Sequence, residues 1–253
     1  MRRLIPLLST AILLFVLACS KENNNNNNLP NNPTTSIKVT MDYVFGATME
    51  PWTAGQMMRH PKTGDSLRIN TVNFYISRMR LQKADGNWIE DPVPAHLICA
   101  ACPEGSSIEW TNIPVGEYIA LEYTLGIDSA MHASGIQTGD LSPERGMWDE
   151  ASGYTMVKAM GESPHSSTGQ FDFSLKGHEG EWNITMVKQT DFFATRINLP
   201  ANATTEMMLM VNPAKLWHSA PSVSVVHEIV EPSWEGAEMA ANFFGSINYM
   251  GNN

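Results

Sequence analysis

Ile37-Lys38-Val39-Thr40-Met41-Asp42-Tyr43-Val44-Phe45 puts an apolar side chain at every second position. Ile37, Val39, Met41, Tyr43 and Phe45 fall on one face of an extended chain, and Lys38, Thr40 and Asp42 on the other. A two-residue period of this kind marks a half-buried strand. The period returns in 117–126, where Ile119, Leu121, Tyr123 and Leu125 alternate, and a longer strand-like run covers 67–81 with Val72, Phe74 and Ile76. Further strand candidates are 154–160, 171–175, 182–188, 192–199, 206–211 and 223–230. Turn signals such as Asp85-Gly86 and Pro114-Val115-Gly116 separate them. Helix is scarce. Pro213 opens one short candidate at 212–217. Ser233 caps a second at 233–244, with Met239, Phe243 and Phe244 on one face. The pattern predicts an all-β fold, a single antiparallel β-sandwich domain over 36–253 with one or two short helices near the C-terminus.

Ahead of this body lie two segments of different character. Arg2 and Arg3 precede an apolar stretch from Leu4 to Leu17, too short to span a bilayer comfortably. It ends in Val16-Leu17-Ala18-Cys19, which fits a bacterial lipobox: residues 1–18 are removed and Cys19 is acylated. Two or more acyl chains anchor a protein stably. Ser20 after the cysteine points to outer-membrane sorting in a Gram-negative cell. Residues 19–35 read as a tether, because Asn23 to Asn28 and the Pro/Asn run after it cannot bury enough surface to offset their ordering entropy. The expected location is the cell envelope, on an outer-membrane lipoprotein facing the periplasm or the cell surface.

The 253 residues carry 16 Lys+Arg against 26 Asp+Glu, a formal net charge of −10, and cleavage after Ala18 removes two of the cations. A chain this acidic lacks the electrostatic footprint of a nucleic-acid binder. Hydrolase and nucleotide signatures are absent: there is no Gly-x-Ser-x-Gly elbow, P-loop or Gly-x-Gly-x-x-Gly. His227-Glu228-Ile229-Val230-Glu231 approaches a zincin motif but has Glu231 where the second His must stand. No enzymatic activity is expected.

Cys99-Ala100-Ala101-Cys102 forms a tight pair followed by Pro103, which excludes c-type haem attachment. In an oxidising compartment a local disulfide between Cys99 and Cys102 is one reading. A soft-metal site and a redox site are the others.

From Gly126 onward the chain carries an ordered set of blocks. These are Gly126-Ile127-Asp128-Ser129-Ala130, then Ser134-Gly135-Ile136-Gln137-Thr138-Gly139-Asp140-Leu141-Ser142-Pro143, then Gly146-Met147-Trp148 and Ser152-Gly153-Tyr154 with Lys158, then Phe171-Asp172-Phe173. Upstream, Asn73-Phe74-Tyr75-Ile76-Ser77-Arg78-Met79-Arg80-Leu81 with Asp85-Gly86 adds another. Their order and spacing resemble the MbnP-like lipoproteins, a family named for a periplasmic copper-binding protein associated with methanobactin. The resemblance implies a β-sandwich that binds one copper ion through two His and an oxidised Trp, the oxidation being carried out by a di-haem peroxidase-like partner. It also marks departures. The family's His-Ile-Gly-Gly-aromatic stretch is matched by Ser174-Leu175-Lys176-Gly177-His178, so Ser174 stands at the usual His and a His follows four residues later. Met131-His132 stands where the family has Asn or Asn-His. Of the family's tryptophans in the Met-Trp block, Trp148 remains.

The residues available for copper are therefore His132, His178, His60 and Trp148. Imidazole suits both copper oxidation states, and thioether suits Cu(I). Met57-Met58-Arg59-His60 and Met131-His132 pair the two ligand types in loop-like stretches. Of the 16 methionines only Met57, Met58, Met131 and Met147 fall near these groups; Met207, Met208, Met210 and Met239 read as gap-fillers on a strand and a helix. His96, His165, His218 and His227 have no supporting context. A rival reading is a surface interaction module for a protein or glycan, built on exposed aromatics such as Trp52, Trp88 or Trp234. The anchoring expectation is checked by Cys19→Ser: the full chain is expected to move from the membrane fraction to the soluble fraction and to lose its acyl mass in intact mass spectrometry.

Overall fold

The structure, a computed structural model, describes residues 33–102, 105–192 and 195–252. The leader, Cys19 and the tether up to residue 32 lie outside the described residues. The first strand, Thr34–Phe45, buries Ile37, Val39 and Met41 and turns Lys38 and Thr40 outward, as their alternation predicts. It starts two residues earlier than the expected body. Thr35 is only 3% exposed, and its hydroxyl donates to the Ala203 carbonyl at 3.0 Å.

Two curled sheets surround one apolar cluster. In the first, Thr34–Phe45 lies between Thr204–Val211 and Ser107–Pro114, with Asn248–Asn252 on the outer edge of Thr204–Val211. In the second the order runs Met186–Asp191, Gly116–Leu125, Ser66–Lys83, Val157–Glu162, Gln170–Leu175, Glu228–Ile229. The sheets are mixed rather than purely antiparallel. Thr34–Phe45 runs parallel to Thr204–Val211, and Gln170–Leu175 runs parallel to Glu228–Ile229. The two-residue period could not show this, because it fixes which face is buried and not the direction of the neighbour.

The 18-residue strand Ser66–Lys83 organises the second sheet. Its middle, Phe74-Tyr75-Ile76, is buried on both faces. Near its end the register to Gly116–Leu125 shifts between Ser77 and Arg80, and there Arg78 takes φ 51. The bulge turns Arg78 outward, where its Nε donates to Asp128 at 2.7 Å.

Three expected elements are shorter than their patterns. Of 223–230 only Glu228–Ile229 is strand, and of 192–199 only Ile197–Leu199. Trp182 closes a 3₁₀ turn, and the strand follows at Met186–Asp191. The 212–217 candidate is a single 3₁₀ turn, Pro213–Trp217. Helix α2 (Trp234–Gly245) matches its expectation: the Ser233 hydroxyl accepts the Gly236 N–H at 3.1 Å, and Met239, Phe243 and Phe244 are buried. Helix α1 (Ser129–Ala133) was not legible in the sequence, since five residues are too few to display a period. No helix among the described residues is long and apolar enough to cross a membrane.

Trp217 joins the turn to the core. It is fully buried and meets Phe171 and Phe173 edge-on, with ring centroids 5.4 and 5.6 Å away. Trp217→Ala removes a large buried aromatic from a close-packed site, and a loss of about 3–5 kcal/mol is expected, measured as the change in unfolding free energy in urea.

Candidate metal centre

The local sequence builds this site from a hairpin, a short helix and a loop. Trp148–Asp149 pairs with Gly153–Tyr154 and sets Trp148 opposite Tyr154. Between the two strands the Asp149 Oδ1 accepts the Ala151 N–H at 3.0 Å, the Ser152 N–H at 2.9 Å and the Ser152 hydroxyl at 2.8 Å. Such side-chain-to-backbone bonds form a turn from Asp without tertiary help. They hold the exposed Asp149 carboxyl below the usual carboxylate range. Gly153 takes φ +76, open to glycine at no steric cost. Lys176 Nζ then donates to the Ser152 hydroxyl oxygen at 2.6 Å and ties the turn to the end of Gln170–Leu175.

Helix α1 is started by Asp128, whose Oδ1 accepts the Met131 N–H at 2.8 Å while Arg78 holds its other oxygen. Burial alone would raise the Asp128 carboxyl, but the Arg78 guanidinium and the Met131 N–H bring it below its ordinary range. Met131 is buried under the helix, and His132, next in sequence, reaches the hairpin.

There His132 meets His178. Their rings are stacked, 3.5 Å between centroids and 10° between planes. Tyr154 stands edge-on to His132 at 6.1 Å, Trp148 lies 6.5 Å from it, and Trp148 packs against Tyr154 at 4.6 Å. The Tyr154 hydroxyl lies 2.8 Å from the Leu141 carbonyl and 3.1 Å from that of Gly135. Burial raises the Tyr154 hydroxyl's pKa. The His132 imidazole is shifted down, first by burial and then by the charge of His178, against the Ser152 carbonyl and Glu179, which favour its protonation. A neutral imidazole keeps a lone pair for a metal.

His132, His178 and Trp148 are thus brought together, and His60 is not. Met57–Arg59 is a short strand against Ser66–Leu67-Arg68, not an open loop, and the His60 that follows is 3% exposed. Its Nε2 lies 3.0 Å from the Ala214 carbonyl, and its Nδ1 accepts the Thr63 N–H at 3.1 Å. It packs between Phe45 and Trp217. With both nitrogens engaged it braces the core. Burial lowers its pKa; the Ala214 carbonyl and Asp65 oppose that shift, and Lys62 and His218 add to it.

Ser174 remains on its strand, opposite Lys158, with its hydroxyl donating to Asp172 at 3.2 Å. Cys99 and Cys102 form a disulfide where the Ala95–Cys99 strand ends. Trp52 is buried, and Trp88 lies under the Arg80 guanidinium at 4.3 Å; only Trp234 of the three proposed surface aromatics is fully open. Among the described residues no three His, Cys, Asp or Glu side chains converge as a metal site. Gly153 and Lys176 were missed as site residues. The Ser152-Gly153-Tyr154 block was the signal for the first and Ser174-Leu175-Lys176-Gly177-His178 for the second, and neither gave a hint that a His ring would fill the space beside the glycine.

A hairpin, short helix and post-strand loop on a mixed β scaffold define the class. The family model described as MbnP matches residues 34–230, and the chain belongs to that family. The solved structure of MbnP from Methylosinus trichosporium superposes with a TM-score of 0.53, covering 78% of this chain and 83% of that one at 11% identity. At that identity the likeness speaks for the fold. No curated protein sequence matches the chain.

Two histidines, His60 and His132, have folded-state pKa values below the ordinary 6.5. Just below that pH the unfolded chain binds more protons than the folded one. Stability is therefore expected to be full above about pH 6.5 and to fall as the pH drops through the lowered folded-state values. Urea midpoints measured between pH 8 and pH 5 check this, and His132→Ala is expected to flatten part of the slope.

Proposed function

We propose that this MbnP-family protein is a lipid-anchored, non-enzymatic component of the cell envelope that binds one copper ion through His132 and His178. The observation that carries the reading is the 3.5 Å stack of these two rings, supplied by separate segments of the chain. Two imidazoles suit copper in either oxidation state. Imidazole lone pairs lie in the ring planes, so joint ligation requires one ring to turn out of the stack. His178 lies on the loop between Gly177 and Gly180, and the His132 ring sits against Gly153. Trp148, 6.5 Å from the His132 ring, is the tryptophan that the family resemblance offers as a further donor, and a di-haem peroxidase-like partner comes with that reading. The acylated Cys19 would hold the protein to the outer membrane, facing the periplasm or the cell surface.

The rival, an interaction module for a protein or glycan, has exposed Trp234 in its favour. Trp52 and Trp88 do not join Trp234 in an open aromatic surface.

Titration of the Cys19→Ser protein with Cu(I) and Cu(II) separates the readings. One equivalent is expected to bind, and His132→Ala or His178→Ala is expected to weaken it at least about tenfold, the lower end for loss of a supporting metal-site contact. Copper uptake no greater than background, or uptake indifferent to both substitutions, contradicts the proposal.

A further inference from the structure

The 149–153 turn meets the His132 ring at Gly153. A Cβ placed on Gly153 would lie 2.2 Å from His132 Nε2 and 2.5 Å from Cε1. These distances are far inside van der Waals contact, so ring and side chain cannot share the space. The ring therefore presents its Nε2–Cε1 edge to Gly153.

We infer that Gly153, in the Ser152–Gly153 peptide, is the positioning residue of this site: its missing Cβ is the slot that holds the His132 ring against the turn. That the ring so held serves a metal rests on the copper reading; the slot is a property of the metal-free protein. The peptide is itself fixed. Asp149 gathers three donors from the turn, and Lys176 braces Ser152 from the segment that leads into His178. One lysine thus links the support of the first imidazole to the chain that carries the second. Orientation of this kind is how groups behind a ligand tune a metal site.

The slot is tested by a double-mutant cycle on Tm with Gly153→Ala, His132→Ala and the pair. Alanine at φ +76 is strained with or without the ring, so Gly153→Ala alone lowers Tm on any account. The cycle isolates the contact: in the His132→Ala background the Tm loss caused by Gly153→Ala is expected to shrink to less than half. Equal losses in both backgrounds overturn the slot. If the slot holds and copper does not bind, the copper reading fails alone. If copper binds and the losses are equal in both backgrounds, the positioning role fails alone.

Discussion

The burial of the middle of Ser66–Lys83 on both faces is the constraint from which the rest of the structure follows. Phe74, Tyr75 and Ile76 are closed off from water on either side of the sheet. A strand so placed fixes the register of its neighbours, because a one-residue slip would exchange buried and exposed side chains. It also transmits that order to the site. Tyr75 reaches out to the Asp140 carbonyl at 3.2 Å, and the bulge three residues later turns Arg78 onto Asp128. Asp128 starts α1, and α1 presents His132. The candidate metal centre is thus built on backbone and carboxylate bonds that depend on the central strand.

Much of this was legible in the sequence where a single period governed many residues. The alternation of Ile37, Val39 and Met41 and the Ser233 cap of α2 both reappear in the structure. What stayed hidden was information that the period does not contain. Strand direction leaves no mark on alternation, so the parallel pairing to Thr204–Val211 was missed. Helix α1 is five residues long and owes its existence to a cap and an ion pair. His60 read as a loop residue within Met57-Met58-Arg59-His60, yet it is buried by tertiary contacts with Phe45 and Trp217.

Ser174 occupies the strand position at which the family resemblance places a histidine. His178, four residues on, comes back from the loop to stack on His132. Met131 and Met147 are buried, as are Met207 and Met239, where thioether side chains fill irregular gaps, while Met49, Met57 and Met250 are exposed.

X-ray absorption at the copper edge, on the copper-loaded protein, tests the central claim most directly. The account predicts two imidazole ligands with Cu–N distances of about 2 Å, close to the lengths typical of histidine–metal bonds, and the loss of one of them in His178→Ala. A spectrum without imidazole scattering, or one that His178→Ala leaves unchanged, would contradict it.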